Sequence, residues 1–249
     1  MPPEIVFLML FAALAGTVQG TVGFGFGLVA MGTLPLWIGP KEAVPIVALL
    51  CLVVNATLTW RLRNYLTWSR LGPLIIGSLV GVPVGVTLFV TLNPDWLTGG
   101  LGLALIVVCI QQVLSDPKPM DSGRTSPFWG GLAGLGSGIL GGAFNTGGPP
   151  ALMYVGVQTW SKEHTMATLQ GFFLSTCVLQ ITLFTIQGTV GLTQVKDAAI
   201  LLIPALVGVG VGQLLFHRIN QQKFRSLLTA GIGLLGCILT YKSASALLG

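Results

Sequence analysis

Two glycine-rich stretches hold the residues of this chain that are best suited to chemistry. The first, QGTVGFGFGLV, covers residues 19–29, and the second, GGAFNTGGPPALMY, covers residues 141–154. The polar side chains among the glycines are those of Gln19, Thr21, Asn145 and Thr146. Each stretch lies within an apolar segment, so a helix that stops and restarts there exposes unpaired N–H groups and the positive end of its dipole. Such ends bind anions, and glycine lets the backbone approach the ligand closely.

Enzymatic interpretations of the same stretches are weaker. Ser137 lies between glycines, but no histidine within an apolar segment could activate it as a nucleophile. GFGFGL resembles part of a dinucleotide-binding loop, but no strand precedes it and no βαβ unit follows. The sequence therefore predicts no catalytic residue, no cofactor and no enzymatic activity.

The four cysteines do not form a metal or disulfide motif. They fall in four separate apolar segments, and none belongs to a CxxC pair. We expect no metal site and interpret the thiols as small residues that face lipid or the core. A thiol close to a sulfur-containing substrate is the alternative. The cysteines are Cys51, Cys109, Cys177 and Cys237.

The composition is that of an integral membrane protein. Hydrophobic residues make up 53% of the 249 residues and charged residues 8%, with a mean hydropathy of +0.85. Soluble domains carry about 25% charged residues. Apolar runs recur along the whole chain, which predicts several membrane-spanning helices and not the short alternating segments of a β-barrel. The net charge of +5 comes from basic residues in short loops, so we expect no nucleic-acid partner.

The apolar runs divide the chain into two similar halves around a polar linker. Repeat 1 (1–115) contains an interrupted stretch at 4–38 and spans at 43–60, 71–92 and 96–114. The linker covers 116–127. Repeat 2 (128–249) contains an interrupted stretch at 128–160 and spans at 165–190, 197–217 and 224–241. Gly16, Gly20 and Gly23 match Gly134, Gly138 and Gly141 at a constant offset, and LVGVPVG matches LVGVGVG, which predicts an internal duplication.

Length and charge predict how the interrupted stretches enter the membrane. As one continuous helix, residues 4–38 would run about 50 Å, against a hydrocarbon core of about 30 Å. A hairpin that turns at its glycines fits this length, and a single broken crossing is the alternative. With hairpins, nine basic residues share one side and three lie on the other. Three crossings per half then invert the second half, so the two hairpin tips can meet near the midplane, as in secondary transporters.

Ionisable residues are missing from the middle of the spans, but polar residues are present there. All seven acidic residues lie at segment ends or in loops, so carboxylate-based ion coupling is not indicated. The span after each hairpin concentrates polar side chains, which interhelical hydrogen bonding or a substrate pathway would both explain. The candidates for the pathway are Asn55, Gln170 and Thr176.

At the two hairpins the chain resembles the TauE/SafE family of putative sulfite exporters, the TSUP permeases. The resemblance rests on GTVGFGFGLVAMGTLPLW and GGLAGLGSGILGGAFNTGGPPALMY and covers essentially the whole chain. It implies transport of small sulfur-containing anions such as sulfite, sulfoacetate or thiosulfate. Family motifs carry over to Gly23, Gly25, Gly27 and Pro35, and to Gly141, Gly142, Gly147, Gly148 and Pro149. Phe24, Phe26 and the run AFNT interrupt glycine runs that are continuous in many members.

Together these observations predict an all-α integral membrane protein of two inverted-topology repeats, each a glycine-tipped helical hairpin plus three transmembrane helices. We expect a multi-pass inner-membrane transporter whose partners are a small anion and the lipid bilayer. An anion channel and a permease for carboxylates are the alternatives, and the glycine ridges are compatible with a homodimer. The predicted substrate-binding residues are Gln19, Gly20, Thr21, Gly23, Phe24, Gly25, Gly27, Asn55, Asn145, Thr146, Gly147, Gly148, Pro149, Gln170 and Thr176.

Overall fold

The chain folds into helices that pack side by side. The computed structural model describes residues 3–114, 126–156, 158, 160–215 and 221–248. Eleven α-helices and one short 3-10 turn, Arg63–Tyr65, account for nearly all of these residues, and no strand occurs among them. The helices are α1 (Pro3–Val22), α2 (Phe26–Thr33), α3 (Pro35–Ile38), α4 (Pro40–Arg61), α5 (Trp68–Thr91), α6 (Pro94–Leu114), α7 (Pro127–Phe144), α8 (Gly148–Gly156), α9 (Lys162–Ile186), α10 (Leu192–Leu215) and α11 (Gln221–Leu248).

Seven of the described helices are long and apolar enough to cross a membrane, which makes this a multi-pass membrane protein. Six of them overlap the six spans predicted from the sequence, with ends that differ by a few residues. The seventh is α1, whose 20 residues extend about 30 Å and could cross alone. The total length of residues 4–38 predicts a hairpin, but it does not predict that the first helix of the hairpin is long enough to cross a membrane. The predicted linker lies almost entirely outside the described residues, and its last residue, Pro127, begins α7.

Residues with left-handed backbone conformations break the helices where the glycine-rich stretches predict it. Gly23 and Gly25 have φ values of 84° and 105°, and they separate α1 from α2. Asn145, with φ of 57°, ends α7 and is the one non-glycine residue with positive φ in the described part of the chain. An L-residue with a Cβ is strained in this region, and asparagine tolerates it better than most.

At each break the chain folds back beside the helix that it has just left. Phe7 of α1 stacks on Trp37 of α3, with ring centroids 5.0 Å apart. In the second segment, a Cβ on Gly130 would lie 2.8 Å from the ring of Tyr154, and one on Gly136 would lie 3.8 Å from Pro150. Both reversals support the predicted hairpins.

The bundle has two ends that hydrogen bonds and ring contacts identify. At the Lys41 end, where α4 begins, Glu42 accepts from Gln194 and Lys41 donates to the carbonyl of Phe89. At the Arg61 end, where α4 finishes, Arg61 donates to Gln213, and the ring of Tyr65 contacts that of His164.

Glycine ridges fasten each hairpin to a helix of the other half. Gly16 and Gly20 of α1 abut the carbonyls of Ala205 and Val209 in α10, where an added Cβ would lie 2.1 and 2.3 Å away. The ridge of α5, Gly77, Gly81 and Gly85, abuts the carbonyls of Gly131, Leu135 and Ile139 in α7 in the same way. The interpretation of GSLVGVPVG as a packing surface is therefore confirmed.

These contacts set the directions of the two hairpins. Residue numbers rise together in both pairs, so α1 runs parallel to α10 and α7 runs parallel to α5. Since α10 finishes at the Arg61 end and α5 finishes at the Lys41 end, α1 and α7 point in opposite directions. This opposition supports an inverted repeat, which stays a prediction.

The ridge on α10 offers a matched test of this packing. Gly208 and Gly212 abut the carbonyls of Ala13 and Thr17, where an added Cβ would lie 2.1 and 2.2 Å away, whereas nothing lies within 4 Å of one on Gly210. We expect Gly208→Ala or Gly212→Ala to destabilise the protein by about 1–3 kcal/mol, because the helices must separate. Gly210→Ala should be neutral or stabilise by up to about 1 kcal/mol. Thermal unfolding in one detergent measures all three, and equal losses would contradict the packing.

Candidate functional site

The tips of the two hairpins meet in the interior. Gly27, in the first turn of α2, packs so closely on the other tip that an added Cβ would lie 1.9 Å from the carbonyl oxygen of Asn145. The ring of Phe24 lies 3.8 Å from the position of a Cβ on Gly148. Glycine is therefore required at position 27 because two backbones touch there.

A cavity of about 60 Å³ lies between the tips. Its other walls come from α4, through Cys51 and Asn55, and from α9, through residues between Phe173 and Gln180. These residues occupy the middle of two helices that are each long enough to span a membrane. The cavity therefore lies near half depth in the bundle.

Eight of the fifteen predicted site residues line this central cavity. They are Gln19, Gly25, Gly27, Asn55, Asn145, Gly147, Gly148 and Thr176. Eight further residues also line it, namely Phe26, Leu28, Cys51, Ser137, Gly141, Phe173, Cys177 and Gln180. Every one of these side chains is uncharged, so an anion bound here would meet only dipoles.

Unpaired backbone donors contribute to the cavity from both tips. The N–H groups of Gly27 and Leu28 start α2, and those of Gly147 and Gly148 start α8. None of the four has an acceptor among the described residues. Pro149 and Pro150 occupy the first turn of α8, where a missing N–H costs little. Buried N–H groups are almost always paired, so four such donors beside one cavity indicate a site for an acceptor-rich ligand.

Gln19 organises the first tip. Its side chain is 3% exposed and its Oε1 accepts from the N–H of Phe26 at 3.0 Å, which caps α2. Its Nε2 lies 3.2 Å from Oδ1 of Asn55 and 3.3 Å from Oε1 of Gln170. Gln170 in turn donates to the carbonyl of Gly23. One glutamine thereby ties the restarting helix to α4 and α9.

The second tip is braced by different side chains. Asn145 donates through Nδ2 to the carbonyl of Val44 at 2.9 Å, and Ser137 donates to the carbonyl of Gly147. Gln180 donates to the carbonyls of Gly141 and Gly142 at 3.0 and 3.1 Å, which satisfies the end of α7. One N–H donor of the Asn145 side chain is therefore used to stabilise the second tip.

Seven predicted site residues lie outside the central cavity. Thr21 donates to the carbonyls of Thr17 and Gly212, and Thr146 donates to that of Leu140, so both hydroxyls serve helix packing or capping. Pro149 accepts from Gln111 through its carbonyl. Phe24 lines a small separate cavity. The other three line a second, larger cavity that Gln19 also touches, and they are Gly20, Gly23 and Gln170.

Sequence reasoning missed several residues of the central cavity for identifiable reasons. The sequence points to Ser137 only as a weak candidate nucleophile. It favours lipid- or core-facing positions for Cys51 and Cys177, with a position close to a sulfur-containing substrate as the alternative. Gln180 and Phe173 lie on the cavity side of α9, but the sequence of an apolar helix does not reveal which of its side chains face a cavity without the neighbouring helices. The offset between the glycine motifs would have aligned Ser137 with Gln19.

Comparison with known proteins identifies a family but no individual relative. A family model described as "Sulfite exporter TauE/SafE" matches residues 8–239, which is nearly the whole chain. No curated protein and no solved structure matches the chain.

The backbone at the second tip gives a stability test. Asn145→Gly keeps the left-handed conformation and loses the hydrogen bond to Val44, whereas Asn145→Ala loses the bond and adds strain. We expect the alanine variant to be less stable than the glycine variant by about 1–2 kcal/mol. Thermal unfolding of the two purified variants measures the difference. Equal stability would show that the tip does not hold the left-handed conformation.

Proposed function

Since the chain belongs to the TauE/SafE family of sulfite exporters, we propose that it carries a sulfite-sized anion across the inner membrane in its central cavity. The family consists of membrane transporters of sulfur anions such as sulfite. The proposal for the site rests on one observation: four unpaired N–H groups from two opposed tips border a cavity without charged side chains.

The size of the cavity favours the smaller sulfur anions. One water-sized group needs about 10–15 Å³ by this measure, so about 60 Å³ holds four or five such groups. Sulfite and thiosulfate are of this size, whereas sulfoacetate is about twice as large as sulfite. We therefore propose that the inorganic anions bind more tightly than the organic sulfonate.

The dipoles of the cavity suit an anion that must also leave. Hydrogen bonds from N–H groups to a charged acceptor contribute about 1.5–3 kcal/mol each, and the two helix N-termini add their partial positive charge. No lysine or arginine would hold the anion permanently. An inside-negative membrane potential supplies about 2.3 kcal/mol per 100 mV for the outward movement of a monovalent anion.

A barrier of side-chain amides on one side of the central cavity favours a carrier over a channel. The network around Gln19 stands between the central cavity and the larger cavity towards the Arg61 end. The opposite directions of α1 and α7 and the reciprocal pairing with α10 and α5 support two inverted repeats, the architecture of alternating-access transporters.

Ligand binding tests the substrate class. Purified protein should bind sulfite and thiosulfate, bind sulfoacetate more weakly, and not bind acetate, because the carboxylate presents fewer acceptor oxygens to the four donors. Isothermal titration at fixed ionic strength measures the four affinities. Binding of acetate alone would contradict the sulfur-anion assignment.

Gly148→Ala locates the site in the same assay. A Cβ here would lie 3.8 and 3.9 Å from the rings of Phe24 and Phe173, so it fits without a clash and occupies part of the cavity. We expect the dissociation constant for sulfite to rise about tenfold or more. Gly131→Ala, on the same hairpin with nothing within 4 Å, is the control. Unchanged binding in Gly148→Ala would place the site elsewhere.

Counterflow separates the carrier from the channel. Proteoliposomes loaded with unlabelled sulfite should accumulate external labelled sulfite transiently, because a carrier returns loaded with either species. The control is the same vesicles without internal sulfite. Fast flux without counterflow would show that the protein is an anion channel.

A further inference from the structure

A second cavity leads from the Arg61 end of the bundle to the central one. Its volume is about 230 Å³, and we name it the vestibule. Leu58, Arg61 and Leu62 form its wall from α4 and the residue that follows, and Met166 lines it from α9. Gln19 lines both the vestibule and the central cavity, so this side chain lies between them.

Arg61 is the one charged side chain among the described residues that line the vestibule. It is exposed, and its guanidinium donates to Oε1 of Gln213, a neutral acceptor. No carboxylate neutralises Arg61 through an ion pair in the described part of the chain. Neighbouring Arg63 is occupied differently: its guanidinium lies 4.7 Å from the ring of Trp60 and donates to the carbonyl of that residue at 2.9 Å.

The inner end of the vestibule is closed by amides. Nε2 of Gln19 donates to Asn55 and Gln170, and Gln170 donates to the carbonyl of Gly23. The Gln19 side chain is 3% exposed and that of Gln170 is 1% exposed. These hydrogen bonds are between neutral groups, each of which contributes only about 0.5–1.5 kcal/mol, so they can exchange partners with a passing anion.

We propose that Arg61 is the receiving site for the anion on its path between the Arg61 end and the central cavity, and that the amide of Gln19 is the barrier between the two. The ligand is a small oxyanion, which would replace Gln213 as the acceptor of the guanidinium. Arg61 is a positioning residue that acts before the central site. This inference rests on the proposed function for the identity of the anion, but its first test does not.

The electrostatic effect of Arg61 can be measured without any substrate, from the rates at which charged reagents modify a cysteine placed in the vestibule. Met166→Cys, with Leu62→Cys as a second position, is treated with sulfonatoethyl methanethiosulfonate or its trimethylammonium analogue. Mass spectrometry of the labelled peptide separates this thiol from the native ones. The measured quantity is the ratio of the modification rate of the anionic reagent to that of the cationic reagent. We expect this ratio to fall about threefold when Arg61→Gln is added. Arg63→Gln is the matched control and should leave the ratio unchanged. An unchanged ratio in Arg61→Gln at both positions would overturn the role of Arg61.

Modification rates of the native cysteines test whether Gln19 is a barrier between the vestibule and the central cavity. Cys51 and Cys177 line the central cavity, so they should react slowly with the anionic reagent while Gln19 closes the path. Gln19→Ala, and independently Gln170→Ala, should accelerate their modification at least tenfold. Cys109 on α6 lines neither cavity and controls for general loosening of the fold. Equal acceleration at Cys109, or none at Cys51 and Cys177, would overturn the barrier.

Transport kinetics connect both results to function. In proteoliposomes, Arg61→Gln should raise the KM for sulfite about threefold with kcat retained, while the equilibrium affinity of the purified protein stays unchanged. An unchanged KM would overturn the receiving site. Absence of sulfite binding and transport in the unaltered protein would instead refute the proposed function, and the thiol measurements would still decide the vestibule.

Discussion

A helix that ends and restarts inside a bilayer leaves backbone groups that lipid cannot satisfy, and this constraint organises the whole molecule. Each such group needs a partner from the protein, from water or from a ligand. Side-chain amides satisfy several of them: Gln19 accepts from the N–H of Phe26, and Gln180 donates to the carbonyls at the end of α7. Among the N–H groups without an acceptor in the described residues, those of Gly27, Leu28, Gly147 and Gly148 belong to residues around one cavity. Four of the donors that the fold leaves unpaired therefore lie together at the place where a ligand could accept from them.

Close backbone contact follows from the same need. The tips reach each other only because Gly27 lets α2 approach the carbonyl of Asn145. The glycine ridges bring the backbone of α1 against that of α10 and the backbone of α7 against that of α5. Packing of small residues replaces the hydrophobic driving force that is missing between helices in lipid. The same residue type thus breaks helices in one place and fastens them in another.

Much of the fold was predictable because membrane helices are read from runs of apolar residues. The six spans, the two breaks and the packing role of the ridge at 77–85 were visible, since each depends on local residue types. The site was only partly predictable. Thr21 and Thr146 were chosen because they are polar beside glycines, but both hydroxyls bond to helix carbonyls. Which way a side chain points in a short turn depends on the helix packed beside it, and one sequence does not contain that information.

Gln180 and Ser137 are the opposite case, because they line the central cavity but were not predicted as site residues. Each is polar within an apolar segment, and each donates to a backbone carbonyl of the second tip. Both nevertheless line the central cavity, because the carbonyls that they hold belong to the tip. A side chain that hydrogen-bonds to the broken backbone must lie near the break. The residues that stabilise the tip therefore also line the proposed binding cavity.

The reciprocal glycine contacts limit the motions that this protein can make. A movement that separated residues 3–114 from residues 126–248 as two blocks would pull α1 from α10 and α7 from α5, where backbones touch. In the proposed transport cycle the moving bodies would instead be composite, each built from a hairpin of one half and a helix of the other. Because the glycine contacts interlock residues 3–114 with residues 126–248, the joint of the proposed alternating-access cycle would not coincide with the boundary between them in the sequence.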